Sequence, residues 1–218
     1  MERWVVAAKR ADFAAIGNEF GIDPVIARLI RNRDVQDREE IRRYLHGTVE
    51  ELASPHLMKD VDKAVEILRN KIKEKKRIRI IGDYDIDGVV STFILIKGLK
   101  RVGALADTYI PDRVADGYGI HEHLIERAVN DGIDIIVTCD NGIAAYNEIA
   151  MAKEKGMTVI ITDHHEIPYK ETESGRELIL PSADAIVNPK QPDCNYPEKR
   201  LCGAVVALKL VTALYEAC

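Results

Sequence analysis

Long apolar runs are missing from this sequence. None approaches the ~18 residues that a membrane-spanning helix needs, so no membrane role is expected. The N-terminal stretch MERWVVAAKRADF sets charges around a short apolar patch and is not built like a signal peptide. Closely spaced cysteines are missing too. Cys139, Cys194, Cys202 and Cys218 form no C-x-x-C unit, which fits reduced thiols in a cytoplasmic protein. There is no excess of positive charge: 31 Lys and Arg stand against 36 Asp and Glu, a net charge of −5. The surface as a whole therefore does not advertise polyanion binding, although a local groove remains compatible with it. Aromatic residues make up only 6%, with a single tryptophan, so platforms for stacking bases are few. Neither G-x-x-x-x-G-K-[ST] nor G-x-S-x-G occurs, and the first strand-to-helix turn is G-D-Y-D-I-D-G in place of G-x-G-x-x-G. These gaps argue against a P-loop, a hydrolase nucleophile elbow and a dinucleotide site.

What is present has an ordinary globular composition: 218 residues, 46% hydrophobic and 31% charged, enough for a sizeable core. The first part reads as helical. In GIDPVIARLIRNR, Asp23 is placed as an N-cap and Pro24 as the first helical residue, with Val25, Ile26, Leu29 and Ile30 on one face. DREEIRRYLHG predicts a short helix ending at Gly47, and DVDKAVEILRNKIKEKK a longer one with a basic tail. The basic run from Lys71 to Arg79 is read as a solvated helix end. From Ile78 onward, short β-branched runs alternate with helical patterns. That rhythm predicts an α/β domain with a parallel sheet and helices on both faces, over residues 75–218, preceded by a small helical region over 1–74.

In an open α/β sheet, ligands bind beyond the carboxyl ends of the strands. Those ends carry Asp83, Asp85 and Asp87 after IRII, Asp140 after IIVTC, Asp163-His164-His165 after VIIT, and Asn188 after AIV. Three ends bearing carboxylates and imidazoles are hard to assign to turns and caps alone. Carboxylates at alternate positions of an extended segment project to one side, repel one another and call for a neutralising cation. An oxygen-rich set with imidazole suits Mn²⁺ or Mg²⁺. Cys139, beside Asp140, is read as a core residue, and His46, His56, His121 and His123 as structural or surface residues.

At these positions the sequence resembles the DHH phosphoesterase superfamily, whose triad stands here as Asp163-His164-His165. GDYDIDGVVST, VTCDNGI and ITDHHE are similar to its ordered motifs, and IPDRVADGYGI and NPKQPDCNYPEKRLCGAVVALKL to further segments of its RecJ family. The resemblance implies metal-dependent phosphodiester hydrolysis, namely 5′ to 3′ exonuclease action on single-stranded DNA in repair and recombination. It implies Asp85, Asp87, Asp140 and His164 as metal ligands, Asp140 bridging two ions of Mn²⁺ or Mg²⁺. Asp83 is a further ligand or a carboxylate supporting one. His165 would face the scissile phosphate, with Asp163 orienting a histidine. Arg113 is a phosphate contact or a surface loop arginine. Implied partners are single-stranded DNA and repair proteins such as a helicase or a single-strand-binding protein.

Two other readings stand beside this one. They are a DHH phosphodiesterase acting on short oligonucleotides or cyclic dinucleotides, and a non-catalytic DHH-like binding module. Two departures also qualify the resemblance. Ile81 stands where some members carry a histidine, and a fourth motif with its aspartate, followed by a DHH-associated domain, is expected beyond Cys218. The chain is thus expected to be an N-terminal part of a longer protein, short of one carboxylate and one wall of the cleft.

Overall fold

The computed structural model describes residues 9–117, 119–172 and 175–218, so the tryptophan, Trp4, lies outside the described residues. The chain divides into two compact units, Met1–Leu52 and Ala53–Cys218.

The first unit holds α1 (Phe13–Phe20), α2 (Pro24–Asn32) and α3 (Arg38–His46). Local sequence explains each boundary. Asp23 accepts the Val25 N–H at 2.7 Å with Pro24 next in line, as the sequence predicts. Asp37 and Glu40 form a reciprocal capping box on α3. The apolar stripe of α2 differs from expectation: Val25, Ile26 and Leu29 are exposed, while Ala27 and Ile30 are buried. Periodicity locates an apolar face but not which part of it is covered.

The first α-helix of the second unit is α4 (Val61–Lys73), which the sequence rhythm grouped with the helical region; here it packs beside the sheet. There follow β1 (Arg77–Ile81), α5 (Ile86–Arg101), β2 (Leu105–Tyr109), α6 (Glu122–Asn130), β3 (Ile135–Cys139), α7 (Tyr146–Glu154) and β4 (Thr158–Thr162). Then come β5 (Tyr169–Thr172), β6 (Gly175–Leu178), β7 (Ala185–Val187) and α8 (Gly203–Glu216). Five strands make a parallel sheet in the order β2-β1-β3-β4-β7. Strand alternation sorts the side chains into two cores. Ile78, Ile80, Ile135, Val137, Cys139 and Ile160 meet α4, α5 and α8 on one face. Ile81, Ile136, Val159 and Ile161 meet α6 and α7 on the other. The fold is therefore the parallel α/β architecture read from the sequence, with helices on both faces.

The segment after β4 contains the exposed antiparallel hairpin β5–β6. One local expectation fails. Arg79, read as part of a solvated basic run, is buried in β1 and pairs with Asp107 (2.8 and 2.9 Å) and Asp131 (2.8 Å). A buried guanidinium needs such partners, and these came from β2 and the end of α6, beyond the reach of a local pattern. Sheet order reverses between β1 and β3, which opens a crevice at their carboxyl ends.

Candidate metal centre

The carboxylates at that crevice converge by a different local route from the one the sequence suggests. β1 ends at Ile81, and the three acids do not continue it as a strand. Asp83 lies in the turn, Asp85 is the N-cap of α5, and Asp87 is in its first turn. Asp85 accepts the Gly88 N–H at 2.9 Å, and Asp83 accepts the Tyr84 N–H at 2.7 Å. A helix start tolerates this density of acid because its free N–H groups and dipole favour negative charge.

Asp140 is buried at the end of β3 in the left-handed region, φ 60°. That conformation is unfavourable for a residue with a Cβ, although aspartate is among those that tolerate it best, and such residues cluster at functional sites. Asn141 fixes the spot by donating Nδ2–H to the Gly82 carbonyl (2.8 Å), tying the end of β3 to the end of β1. Burial, then Asp87 and Asp85 nearby, push the Asp140 carboxyl up to about 8. Burial also raises Asp83.

The DHH loop after β4 supplies the imidazoles. Asp163 is fully buried and accepts from the backbone N–H groups of Ile143, His164 and His165, and from the His165 ring Nδ1 at 2.7 Å. This ring bond raises the His165 pKa, and despite burial the same contacts lower that of Asp163. Asn188 donates to the His165 carbonyl at 3.1 Å and so braces the loop from β7. His164 Nε2 stands 2.9 Å from Asp140 Oδ1 and 3.5 Å from Asp87 Oδ2. Yet Asp140 Oδ1 is buried without a hydrogen-bond partner, so the close approach lacks hydrogen-bond geometry.

Candidate ligand atoms fall into two groups, each within 4.8 Å: Asp83, Asp85 and Asp140; and Asp140, His164 and His165. Asp140 belongs to both. An orphaned buried carboxylate oxygen, surrounded by further oxygens and imidazole nitrogens, fits a hard divalent cation. Asp87 stands slightly apart. Its two oxygens accept the N–H groups of Gly203 (2.6 Å) and Ala204 (2.8 Å) at the start of α8. A carboxylate has about four lone-pair sites, so these bonds orient it without exhausting it.

Other residues fall where the sequence gave weaker signals. Arg113 is exposed in the loop after β2, its guanidinium 5.5 Å from the centre of the Tyr84 ring. Cys139 is buried in the core, as expected. Sequence reasoning passed over Asn141, Tyr84 and Gly203, although all three sit inside the quoted segments. A Cβ on Gly203 would lie 2.8 Å from Asp140 Oδ1, a demand that no local pattern reveals.

The family model described as the DHH family, N-terminal domain, matches residues 77–217. The chain belongs to the DHH family. Its relatives narrow the likeness. It is 39% identical to the single-stranded-DNA-specific exonuclease RecJ of Bacillus subtilis over 97% of this chain and 26% of that protein. A crystal structure of exonuclease RecJ bound to manganese superposes with TM-score 0.64 at 34% identity, over 73% of this chain and 38% of the other. RecJ of Thermus thermophilus in complex with Mn²⁺ superposes with TM-score 0.66 at 28% identity, over 94% of this DHH chain and 27% of that one. The chain thus spans roughly a quarter to two fifths of the proteins it matches.

Proposed function

We propose that this DHH chain carries the metal-binding phosphodiesterase site of a RecJ-like enzyme that degrades single-stranded DNA from its 5′ end. One observation carries the reading: two groups of carboxylate and imidazole donors share Asp140 at the switch point of the sheet. Asp83, Asp85 and Asp140 would hold one divalent ion, and Asp140 with His164 a second, with Asp87 lending its remaining lone pairs. Manganese in the similar RecJ structures supports Mn²⁺ or Mg²⁺ as the occupant. Such ions supply Lewis-acid charge at the phosphate and make a water acidic enough to attack.

The chain's own groups do the rest. Asp163 holds His165 by Nδ1, which leaves Nε2 to face the scissile phosphate. The same contact keeps the imidazole protonated to higher pH, so it can neutralise developing charge and give a proton to the leaving oxygen. Arg113, whose guanidinium lies 5.5 Å from the centre of the Tyr84 ring, would contact a neighbouring substrate phosphate. The four cysteines are free, which suits a cytoplasmic setting. No helix among the described residues is long and apolar enough to cross a membrane. Repair proteins such as a helicase or a single-strand-binding protein fit as partners of the whole enzyme.

The test is an end-labelled, 5′-phosphorylated single-stranded oligonucleotide with Mn²⁺. Stepwise loss from the 5′ end, abolished by Asp85→Ala or His164→Ala with the fold intact, is expected. Near-normal turnover in either variant would overturn the assignment.

A further inference from the structure

The loop after β2 carries Arg113 on an exposed turn over residues 113–116. Arg113, Val114 and Ala115 are all exposed, so burial of their side chains does not hold the turn. Two aspartates give it its shape. Asp112 accepts the N–H groups of Val114 (2.8 Å) and Ala115 (2.9 Å), which closes the chain around Arg113. The Asp112 carbonyl accepts from the backbone N–H groups of Asp116 (2.9 Å) and Gly117 (3.2 Å). Asp116 then fastens the closed turn to the domain.

The Asp116 side chain is only 12% exposed. Its Oδ2 accepts from the Asp112 N–H at 2.7 Å and from the Tyr109 hydroxyl at 3.1 Å. Its Oδ1 meets His123 Nε2 at 2.8 Å. Tyr109 ends β2, and His123 stands in the first turn of α6. One carboxylate therefore joins the strand before the loop, the loop itself and the helix after it. The Arg127 guanidinium, also on α6, lies 4.9 Å from the centre of the Tyr109 ring and backs that strut. The Asp112 N–H, then His123 and Tyr109, hold the Asp116 carboxyl below its usual range against partial desolvation. His123, read from sequence as a surface residue, is exposed but bonded into this network.

A cation on a loose loop gains little on binding, because the loop must be ordered at that moment. Here the ordering is built in before any ligand arrives. The cation it presents, Arg113, lies against Tyr84, in the turn that also bears Asp83. We propose that Asp116 is a positioning residue: it touches no substrate and holds the loop so that Arg113 meets a substrate phosphate beside the carboxylate–imidazole cluster. The proposal rests on the phosphodiesterase reading and on Arg113 as a phosphate contact. An aspartate that merely stabilised its own loop would change stability without acting through Arg113.

The test is a double-mutant cycle of Arg113→Gln and Asp116→Ala in the Mn²⁺-loaded chain. Affinity is read by fluorescence anisotropy with a 5′-phosphorylated single-stranded oligonucleotide whose phosphorothioate links resist hydrolysis; KM and kcat are read with its ordinary counterpart. Arg113→Gln should weaken binding about tenfold and reduce the slope of log affinity against log salt by about 0.7, the mark of one phosphate contact. Asp116→Ala should reproduce both effects, raise KM more than it lowers kcat, and add less than about twofold in the Arg113→Gln background. Asp116→Asn keeps an oxygen for Asp112 and Tyr109 and turns its amide to His123, so it should restore most of the affinity. If Asp116→Ala does not fold, His123→Phe removes one strut alone and should show a smaller loss with the same non-additivity. Additive losses, or normal affinity and salt slope in Asp116→Ala, overturn the positioning role. Wild-type binding by Arg113→Gln removes the contact and the proposal with it. If the oligonucleotide is bound but not cut, the phosphodiesterase reading fails, and the cycle on affinity still decides the role of Asp116.

Discussion

Asp163 belongs to neither donor group, yet His165 depends on it. The buried carboxylate fixes the ring tautomer through Nδ1 and holds the loop by three backbone N–H groups. Asp163→Asn keeps the shape and removes the charge. The His165 pKa should then fall toward the ordinary imidazole value, read from the ring proton shift across an NMR pH titration. An unchanged titration would mean that the ion pair does not govern His165. At this scale the sequence was most legible where residue type is demanding. Acids and histidines at strand ends announce a site, because like charges assembled there need a cation. It was least legible where a neutral residue acts through a long-range amide bond or through its lack of a side chain. Asn141 and Gly203 are of that kind, since their importance comes from what packs against them.

Among the elements, α5 and α8 form the arm that carries Asp85 and Asp87 to Asp140. Asp87 caps the first turn of α8, and Gly203 is small because the Asp140 side chain occupies the space a Cβ would need. Gly203→Ala should cost about 1–3 kcal/mol of stability through overpacking and should also weaken Mn²⁺ binding. Gly98→Ala is the control, because its Cβ would strike Val211 lower on the same helix pair, 2.6 Å from a methyl carbon. It should lower the melting temperature yet leave the metal affinity of the folded chain unchanged. Equal metal affinity in both variants would detach α8 from the site. The alternation of β-branched runs and helices made these elements readable in outline. The hairpin β5–β6 was not, since its strands are exposed and polar and so carry no buried alternation.

For the whole molecule, the cluster sets a pH dependence that metal should reverse. The Asp140 carboxyl sits at about 8 in the folded chain, well above its ordinary value near 4, so the unfolded chain gives up this proton first. Stability of the metal-free chain should therefore fall as pH rises between about 4 and 8. His165 acts in the same direction. Its raised pKa contributes fully below its unfolded value and fades as pH climbs through the folded one. The lowered carboxylates, Asp131 and Asp163 among them, contribute at full strength above pH ~4 and do not alter that slope. Mn²⁺ requires the ionised ligands, so its stabilisation should grow with pH. Melting curves in EDTA and in Mn²⁺ should diverge as pH rises; parallel curves would contradict this.

The parallel sheet and the helices on both faces were legible because near-continuous apolar strands can only be buried on two sides. The buried Arg79 network was not, because its partners lie 28 and 52 residues away in sequence.

The most direct test of the central claim is a Mn²⁺ titration of the chain followed by electron paramagnetic resonance, beside His164→Ala. Saturable binding that the variant loses is the predicted result and would place the ion where Asp140 joins the two donor groups. Absence of specific binding, or binding that His164→Ala leaves untouched, would contradict the account.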